Sequence, residues 1–393
     1  MSNKPFGDAT RISHAGRPGV RELSYVNPPV VRGSTLLHPN VALRLKEYGH
    51  ERRAGYGIGG TQTHHALEDA ILAIEGGTRC QIVGSGLTAT TLPLLAYLGA
   101  GQHCLVPDSV YGPTRSFCDG MLTRMGVSVT YYRPTLAAAD LNALIQPNTK
   151  VLYLESPGSN TFEMQDVPAL AAVAHARGVK VIMDNTWGLH FFQPFAHGVD
   201  VSVLALTKYV GGHSDLLLGS ITTATDADYA TIREAAMEIG EYASPDDCWL
   251  ALRGVRSLLV RLQHQMQAGL KVASWLASRP EVAQVLHPAL PGAPGHDIWK
   301  RDYTGACSLF TLVFQPYFTY ESLLAMIDGM SLFGIGSSWG GFESLVLPVT
   351  GTLTRLLETP QLPGPSLRLH IGLEDTEDLI ADLTRGLALL RRE

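Results

Sequence analysis

Apolar residues fall at helical spacing first in 63–75, where Leu67, Ala70, Ile71 and Ile74 share one face and predict a helix. Upstream of Thr61 no period is sustained and Pro, Gly and Arg recur, so residues 1–60 read as an extended arm that packs on something else. Downstream the pattern alternates. The segment 80–86 (CQIVGSG) reads as a short strand entering a Gly-rich turn, followed by an apolar helix and a strand at 103–108. A strand at 150–154 stops at Glu155-Ser156-Pro157. A helix at 166–177 has Asp166 as N-cap, Pro168 in its first turn and Gly178 at its close. Strands follow at 180–184 and 200–207, with a further candidate at 218–223. This alternation predicts an α/β fold, a mostly parallel sheet covered on both faces, which binds ligands beyond the carboxyl ends of its strands.

Past Asp246 the pattern changes. Val255, Leu258, Leu259, Leu262, Met266, Leu270 and Ala273 trace one face of a long helix expected to lead into a second domain. Residues 287–297, rich in Pro and Gly, read as a loop. A strand at 309–314, a helix at 320–330, a strand at 367–371 and a helix capped by Asp375 complete a smaller C-terminal α+β domain. The expected division is an arm over 1–60, a large domain over 61–255 and a small one over 256–393.

Composition narrows the function. Only 17% of the 393 residues are charged, against about 25% in ordinary globular chains, while 45% are apolar. That balance predicts a large buried fraction, in an α/β core or a subunit interface. Thirty Lys and Arg against 36 Asp and Glu give a net charge of -6 without a basic tail, which argues against a nucleic-acid or membrane-surface partner. The first residues lack the apolar core of a signal peptide and no apolar run approaches the length of a membrane span, so the expected location is cytoplasmic. The five cysteines are scattered without a CxxC pair, so neither a disulfide framework nor a metal site is expected.

Several polar residues sit where such a sheet binds ligands. Lys208 directly follows an apolar strand, and Asp184 ends the neighbouring one. A solvated lysine and a turn-capping aspartate would explain each alone. Together they meet the needs of pyridoxal phosphate: an amine to hold it covalently and an acid to keep its ring nitrogen protonated. Gly84-Ser85-Gly86-Leu87-Thr88, at a helix start, offers backbone N–H groups for a phosphate, or is an ordinary tight turn. Tyr111 is a candidate to stack on a cofactor ring. Arg368, in a late apolar strand, needs an anion, which a substrate carboxylate or a structural acid would supply.

The motifs DNTW (184–187), ALTKYVGGHSD (205–215), YGPT (111–114), SWGGFESL (338–345) and LRLHIGLED (367–375) resemble those of the Cys/Met-metabolism pyridoxal-phosphate enzymes. The likeness runs from SHAGR (13–17) through LHPALPG (286–292) to the last helix. It implies a fold-type I, aspartate aminotransferase-like enzyme using pyridoxal 5'-phosphate. In that reading the catalytic residues are Lys208, which carries the cofactor and then serves as proton-transfer base, and Tyr111, which stacks on the ring and assists proton traffic, while Asp184 pairs with the ring nitrogen. Gly86, Leu87 and Thr207 hold the phosphate together with Tyr56 of a neighbouring subunit. Ser338 and Arg368 bind the substrate α-carboxylate. The resemblance also implies a homotetramer built from dimers that share active sites, which would account for the arm.

Among activities of the family, Ser337-Ser338-Trp339-Gly340-Gly341 favours β-elimination, since γ-acting relatives tend to carry Glu-Ser-Leu-Gly-Gly there; Trp339 would border the substrate. The implied reaction cleaves L-cystathionine or a related cysteine S-conjugate to pyruvate, ammonia and a thiol such as homocysteine, a step of sulfur amino-acid metabolism. The alternatives are a γ-acting relative, a transaminase, or a binding protein that retains the cofactor without turnover. The chain departs from the β-lyase pattern at Ile58 and Gly59, where two arginines are usual, at Leu206, bulkier than the usual residue, and at Ser337 in place of a frequent tyrosine. The first arginine would meet the cofactor phosphate and the second the distal carboxylate of cystathionine. Their absence predicts weaker phosphate binding and a shift toward cysteine conjugates without a distal carboxylate. Arg52 and Arg53 lie close by in sequence.

Overall fold

A computed structural model describes residues 6–18, 25–47, 55–357 and 362–392. Its large sheet is built of β1 (Arg79–Val83), β2 (His103–Pro107), β3 (Ser128–Tyr132), β4 (Thr149–Glu155), β5 (Lys180–Asp184), β6 (Val201–Ala205) and β7 (Gly219–Thr223). Their spatial order is β1-β7-β6-β5-β4-β2-β3. The strands from β2 to β6 pair in parallel, whereas β7 runs antiparallel to both β6 and β1.

Both faces of this sheet are covered, which is why its strands read as continuous apolar runs. In β4, Val151 and Tyr153 enter the hydrophobic cluster on one face, and Leu152 and Leu154 the cluster on the other. Ile182 and its neighbours Val181 and Met183 divide in the same way in β5. The helix Val167–Ala176 closes the connection between β4 and β5, with the Asp166 carboxylate accepting from the Ala169 N–H. Glu155 and Asp184 are partners in register at the carboxyl ends of β4 and β5. Thus the fold sets two acids side by side on the edge where ligands are expected.

The smaller sheet comprises β8 (Val282–Leu286), β9 (Leu309–Phe314), β10 (Gly334–Ile335), β11 (Leu345–Pro348) and β12 (Ser366–His370), in the order β10-β11-β12-β9-β8. It packs with the helices Leu258–Ala277, Tyr320–Asp328 and Thr376–Leu387 around a separate core that includes Val272, Phe310, Met326, Leu369 and Leu383.

Four local expectations are corrected. The long helix is two, Pro245–Val255 and Leu258–Ala277, so Val255 closes the first. The chain turns there because Arg261 takes the Gly254 carbonyl at 2.8 Å and Arg256 reaches away to the carbonyls of Ser13 and Ala15. The loop over 287–297 ends early, in a helix His296–Asp302. The arm is not wholly extended: it contains helices Asp8–His14 and Val41–Glu47. Nor does its first part await another surface, since Ile12 is buried in the main core and Arg11 donates to the Ala73 carbonyl. Farther along the arm Tyr25, Leu37, Val41 and Leu45 remain exposed.

Candidate active site

The turn after β6 carries Lys208. It is closed by backbone bonds from Lys208 N–H to Ala205, from Gly211 N–H to Leu206 and from Gly212 N–H to Lys208, and is clasped by Arg261, which donates to the Tyr209 carbonyl at 2.7 Å. Leu206 points away from the site into the core. The 337–341 loop lies against this turn: a Cβ on Gly340, whose φ is 83°, would come within 2.7 Å of the Tyr209 backbone nitrogen. The Gly340 N–H donates to His370 Nε2 at 3.1 Å. This contact sets Ser338 beside the lysine, and the Lys208 Nζ donates to the Ser338 hydroxyl at 2.7 Å. The same ammonium lies 5.6 Å from the Trp339 ring centroid.

These groups line a cavity of about 590 Å³ that also takes in Gly86, Leu87, Tyr111, Asp184, Thr207 and Arg368. Every site residue expected from the sequence therefore converges here except Tyr56. Tyr56 is exposed, bridged to Thr35, and not part of this cavity. Ile58 sits beside it in the turn Gly57–Gly59, where the Gly59 carbonyl accepts from Arg233 at 2.7 Å. Arg52 and Arg53 lie outside the described residues. Thr207 is already engaged, its hydroxyl donating to the Leu218 carbonyl and accepting from the Leu218 N–H.

Burial tunes the ionisable groups. It pulls the Lys208 amine down to about 8, helped by the positive charge of Arg368 and opposed by Asp184. It raises the Asp184 carboxyl, against hydrogen bonding from Thr186 and the charge of Lys208. Tyr111 is raised by burial and by the two nearby acids. The Arg368 guanidinium, itself lowered by burial, meets only neutral acceptors, Asn160 Oδ1 at 3.3 Å and the Ser338 carbonyl at 3.4 Å. None of the ion pairs among the described residues uses it.

Four residues of the site were not singled out from the sequence. Glu155 accepts from the Tyr111 N–H at 2.7 Å, and burial, then Asp184, holds its carboxyl well above the usual range. Its signal was present: an acid ending a buried strand, as at Asp184. Thr186 ties Asp184 to β6 by donating its N–H to the carboxylate and accepting from the Ala205 N–H. His370 steadies the loop at Gly340. Asn160, in the left-handed region at φ 63°, reaches Arg368 only through tertiary packing. Among the described residues no group of three or more His, Cys, Asp or Glu side chains could hold a metal ion, and all five cysteines are buried free thiols.

The family model for Cys/Met metabolism PLP-dependent enzymes matches residues 9–388. The chain belongs to this family. A putative cystathionine beta-lyase of Rhizobium johnstonii is 46% identical to this Cys/Met-metabolism enzyme over 389 residues, covering 97% of this chain and 96% of the relative. Cystathionine beta-lyase MetC of Escherichia coli K12 is 39% identical, covering 96% of this chain and 98% of its own. The crystal structure of metB from Corynebacterium glutamicum superposes with a TM-score of 0.88 at 28% identity, covering 98% of each chain.

The donor set fits the family's cofactor. In the helix Gly86–Tyr97, the Ser85 hydroxyl accepts the Thr88 N–H, and the N–H groups of Gly86 and Leu87 have no partner within the helix. A Cβ on Gly86 would lie 2.6 Å from the Ala205 Cβ, so the helix start rests directly on the end of β6. Phosphate donors, an amine, an acid and an aromatic face thereby share one cavity of this Cys/Met-metabolism enzyme.

Proposed function

We propose that the protein is a carbon–sulfur β-lyase that uses pyridoxal phosphate to cleave L-cystathionine or a related cysteine S-conjugate, releasing pyruvate, ammonia and a thiol. The observation that carries this reading is the meeting of Lys208, Ser338 and the carboxylate-free guanidinium of Arg368 in one cavity, with Trp339 at its wall. Relatives named cystathionine beta-lyase at 39–46% identity support it.

When bound, pyridoxal phosphate supplies the electron sink that acidifies the substrate Cα–H and allows a β-thiolate to depart. Gly86 and Leu87 would hold its phosphate with their N–H groups, and Asp184 would pair with the ring nitrogen. Arg368 pairs with the substrate α-carboxylate, which replaces its weak neutral contacts by charge-assisted ones. Lys208, with its proton affinity lowered, takes the Cα proton and keeps it beside Ser338. Tyr111, in the cavity wall, would stack on the ring and assist proton traffic.

The active unit is an oligomer, a dimer of dimers in which Tyr56 of one subunit completes the phosphate site of another. The exposed apolar side chains at Tyr25, Leu37, Val41 and Leu45 support such a role for the 1–60 arm, ahead of a cofactor-binding domain over 61–255 and a small domain over 256–393. Among the described residues no helix is long and apolar enough to cross a membrane, and we infer a cytoplasmic enzyme. The deciding experiment is the keto acid formed from L-cystathionine by cofactor-loaded protein, with Lys208→Ala as control. Pyruvate from the wild type alone is the expected result, whereas 2-oxobutanoate would identify a γ-acting enzyme.

A further inference from the structure

The loop that carries Ser338 and Trp339 is tied down at its next residue, where the Gly340 N–H donates to His370 Nε2. His370 lies in β12, 1% exposed, and burial lowers its ring to about 3, which keeps it uncharged. An uncharged imidazole has one N–H and one bare nitrogen, and only the bare nitrogen can accept. The Gly340 contact therefore requires the ring proton on Nδ1. With the proton on Nε2, the ring would donate to the Gly341 carbonyl 3.3 Å away and leave the Gly340 N–H facing a second donor.

On the other side of the ring lies Ser308, fully buried, with its Oγ 3.3 Å from Nδ1. The Ser308 hydroxyl has one proton, which goes to the Ile371 carbonyl at 2.6 Å. Toward His370 this oxygen can only accept, so it selects the ring form with the proton on Nδ1. Tyr209 completes the chain. Its hydroxyl accepts from the Ser308 N–H at 3.0 Å and lies 3.2 Å from the Ser308 Oγ, to which it donates. The Gly341 carbonyl does not need His370, since Gln265 Nε2 donates to it at 2.8 Å. A backbone amide or carbonyl at each end thus fixes every proton of the network. Tyr209 directly follows Lys208, and its ring meets Trp339 edge-on at 5.4 Å.

We propose that Ser308 and Tyr209 are positioning residues: they hold His370 in the one tautomer that accepts from Gly340, and through it fix Ser338 and Trp339 against Lys208. None of Ser308, Tyr209 and His370 lines the cavity. The proposal rests on the reading of the 337–341 loop as part of the substrate site, and it is independent of which bond the enzyme cleaves.

The tautomer is read in wild-type holoenzyme carrying isotope-labelled histidine, by solid-state NMR of the imidazole nitrogens. The His370 signal is the one absent from His370→Gln. A protonated Nδ1 and a bare Nε2 are the expected result, and a protonated Nε2 overturns the proposal. The second measurement is the Kd for glycine, which has the α-carboxylate but no group to eliminate, followed by the visible absorption of the bound cofactor. Ser308→Ala moves the His370 proton to Nε2 and weakens glycine binding about tenfold. Tyr209→Phe keeps the ring against Trp339, weakens glycine binding about threefold, and decides the matter if Ser308→Ala does not fold. Glycine Kd values within twofold of the wild type in the folded variants overturn the proposal, even with Nδ1 protonated. Wild-type holoenzyme that does not bind glycine removes the substrate-site reading of the loop as well, whereas the keto acid formed from L-cystathionine tests the β-lyase reading separately.

Discussion

The ammonium of Lys208 donates to the hydroxyl of Ser338 across 2.7 Å, a contact between residues 130 positions apart. It joins the turn after β6 to the loop before β11, and so holds the large sheet's lysine against the small sheet's cavity-lining loop. Ser338 is kept there in a left-handed backbone conformation, φ 94°, that a serine rarely adopts. Strain of this kind persists only where surrounding contacts impose it, here the Gly340–His370 hydrogen bond. Ser338→Ala should therefore lower kcat/KM about tenfold, the equivalent of one charge-assisted hydrogen bond. Steady-state pyruvate release from L-cystathionine reads this directly, and an unchanged kcat/KM would separate Ser338 from the chemistry.

In cofactor-free protein the Lys208 amine should titrate near 8 instead of 10.5, as read by the pH dependence of Nζ acylation. Arg368→Gln, which removes the neighbouring positive charge, should move it upward. The linked stability has a definite sign. Below pH 8 the amine is charged in both states and its burial costs about 3 kcal/mol. Between 8 and 10.5 the unfolded chain binds more protons, so stability rises with pH and the cost disappears. The stability advantage of Lys208→Met should accordingly shrink by about 2 kcal/mol between pH 7 and pH 10 in denaturant titrations.

Glu155 carries the opposite linkage. Its carboxyl is raised by burial and by Asp184, so the folded protein binds the extra proton. The contribution of the neutral acid is fully present at low pH and is lost as pH rises through the folded value. Glu155→Gln imitates the neutral form and can still accept from the Tyr111 N–H. Its stability relative to wild type should be greater at pH 8 than at pH 5 in urea unfolding, and an equal difference at both would show that Glu155 does not retain its proton.

Cofactor retention should respond to two positions. Gly86→Val drives a branched side chain into Ala205, 2.6 Å from the Cβ position, and should weaken pyridoxal phosphate binding about tenfold by overpacking the helix start. In the proposed oligomer, where position 58 would reach the phosphate site of a neighbouring subunit, Ile58→Arg should tighten it about tenfold by adding a charged donor. Quenching of intrinsic fluorescence on titration with the cofactor measures both. No change for Ile58→Arg would mean that Ile58 does not weaken phosphate binding.

Much of the site was readable along the chain because its residues are attached to strand ends, and strand ends follow from local pattern. Apolar runs bounded by Asp184 and by Lys208 place an acid and an amine at neighbouring strand ends, and the strand and apolar helix flanking Gly84-Ser85-Gly86 mark a helix start there. The family motifs add roles to these positions. The Glu155 carboxylate ends a strand in the same way, and its pattern is equally local.

Other features depend on residues distant in sequence. The antiparallel course of β7 is set by its pairing with β1 and β6, since an apolar strand pattern has no direction. The break between Val255 and Leu258 follows from Arg256 and Arg261 reaching the arm and the Lys208 turn, contacts that helical periodicity does not register. The lowered lysine and the carboxylate-free Arg368 are products of burial among elements far apart in the chain. Local side-chain pattern determines which elements form and what chemistry stands at their ends. Packing alone determines which charges leave water together, and therefore which of them remain available to a substrate.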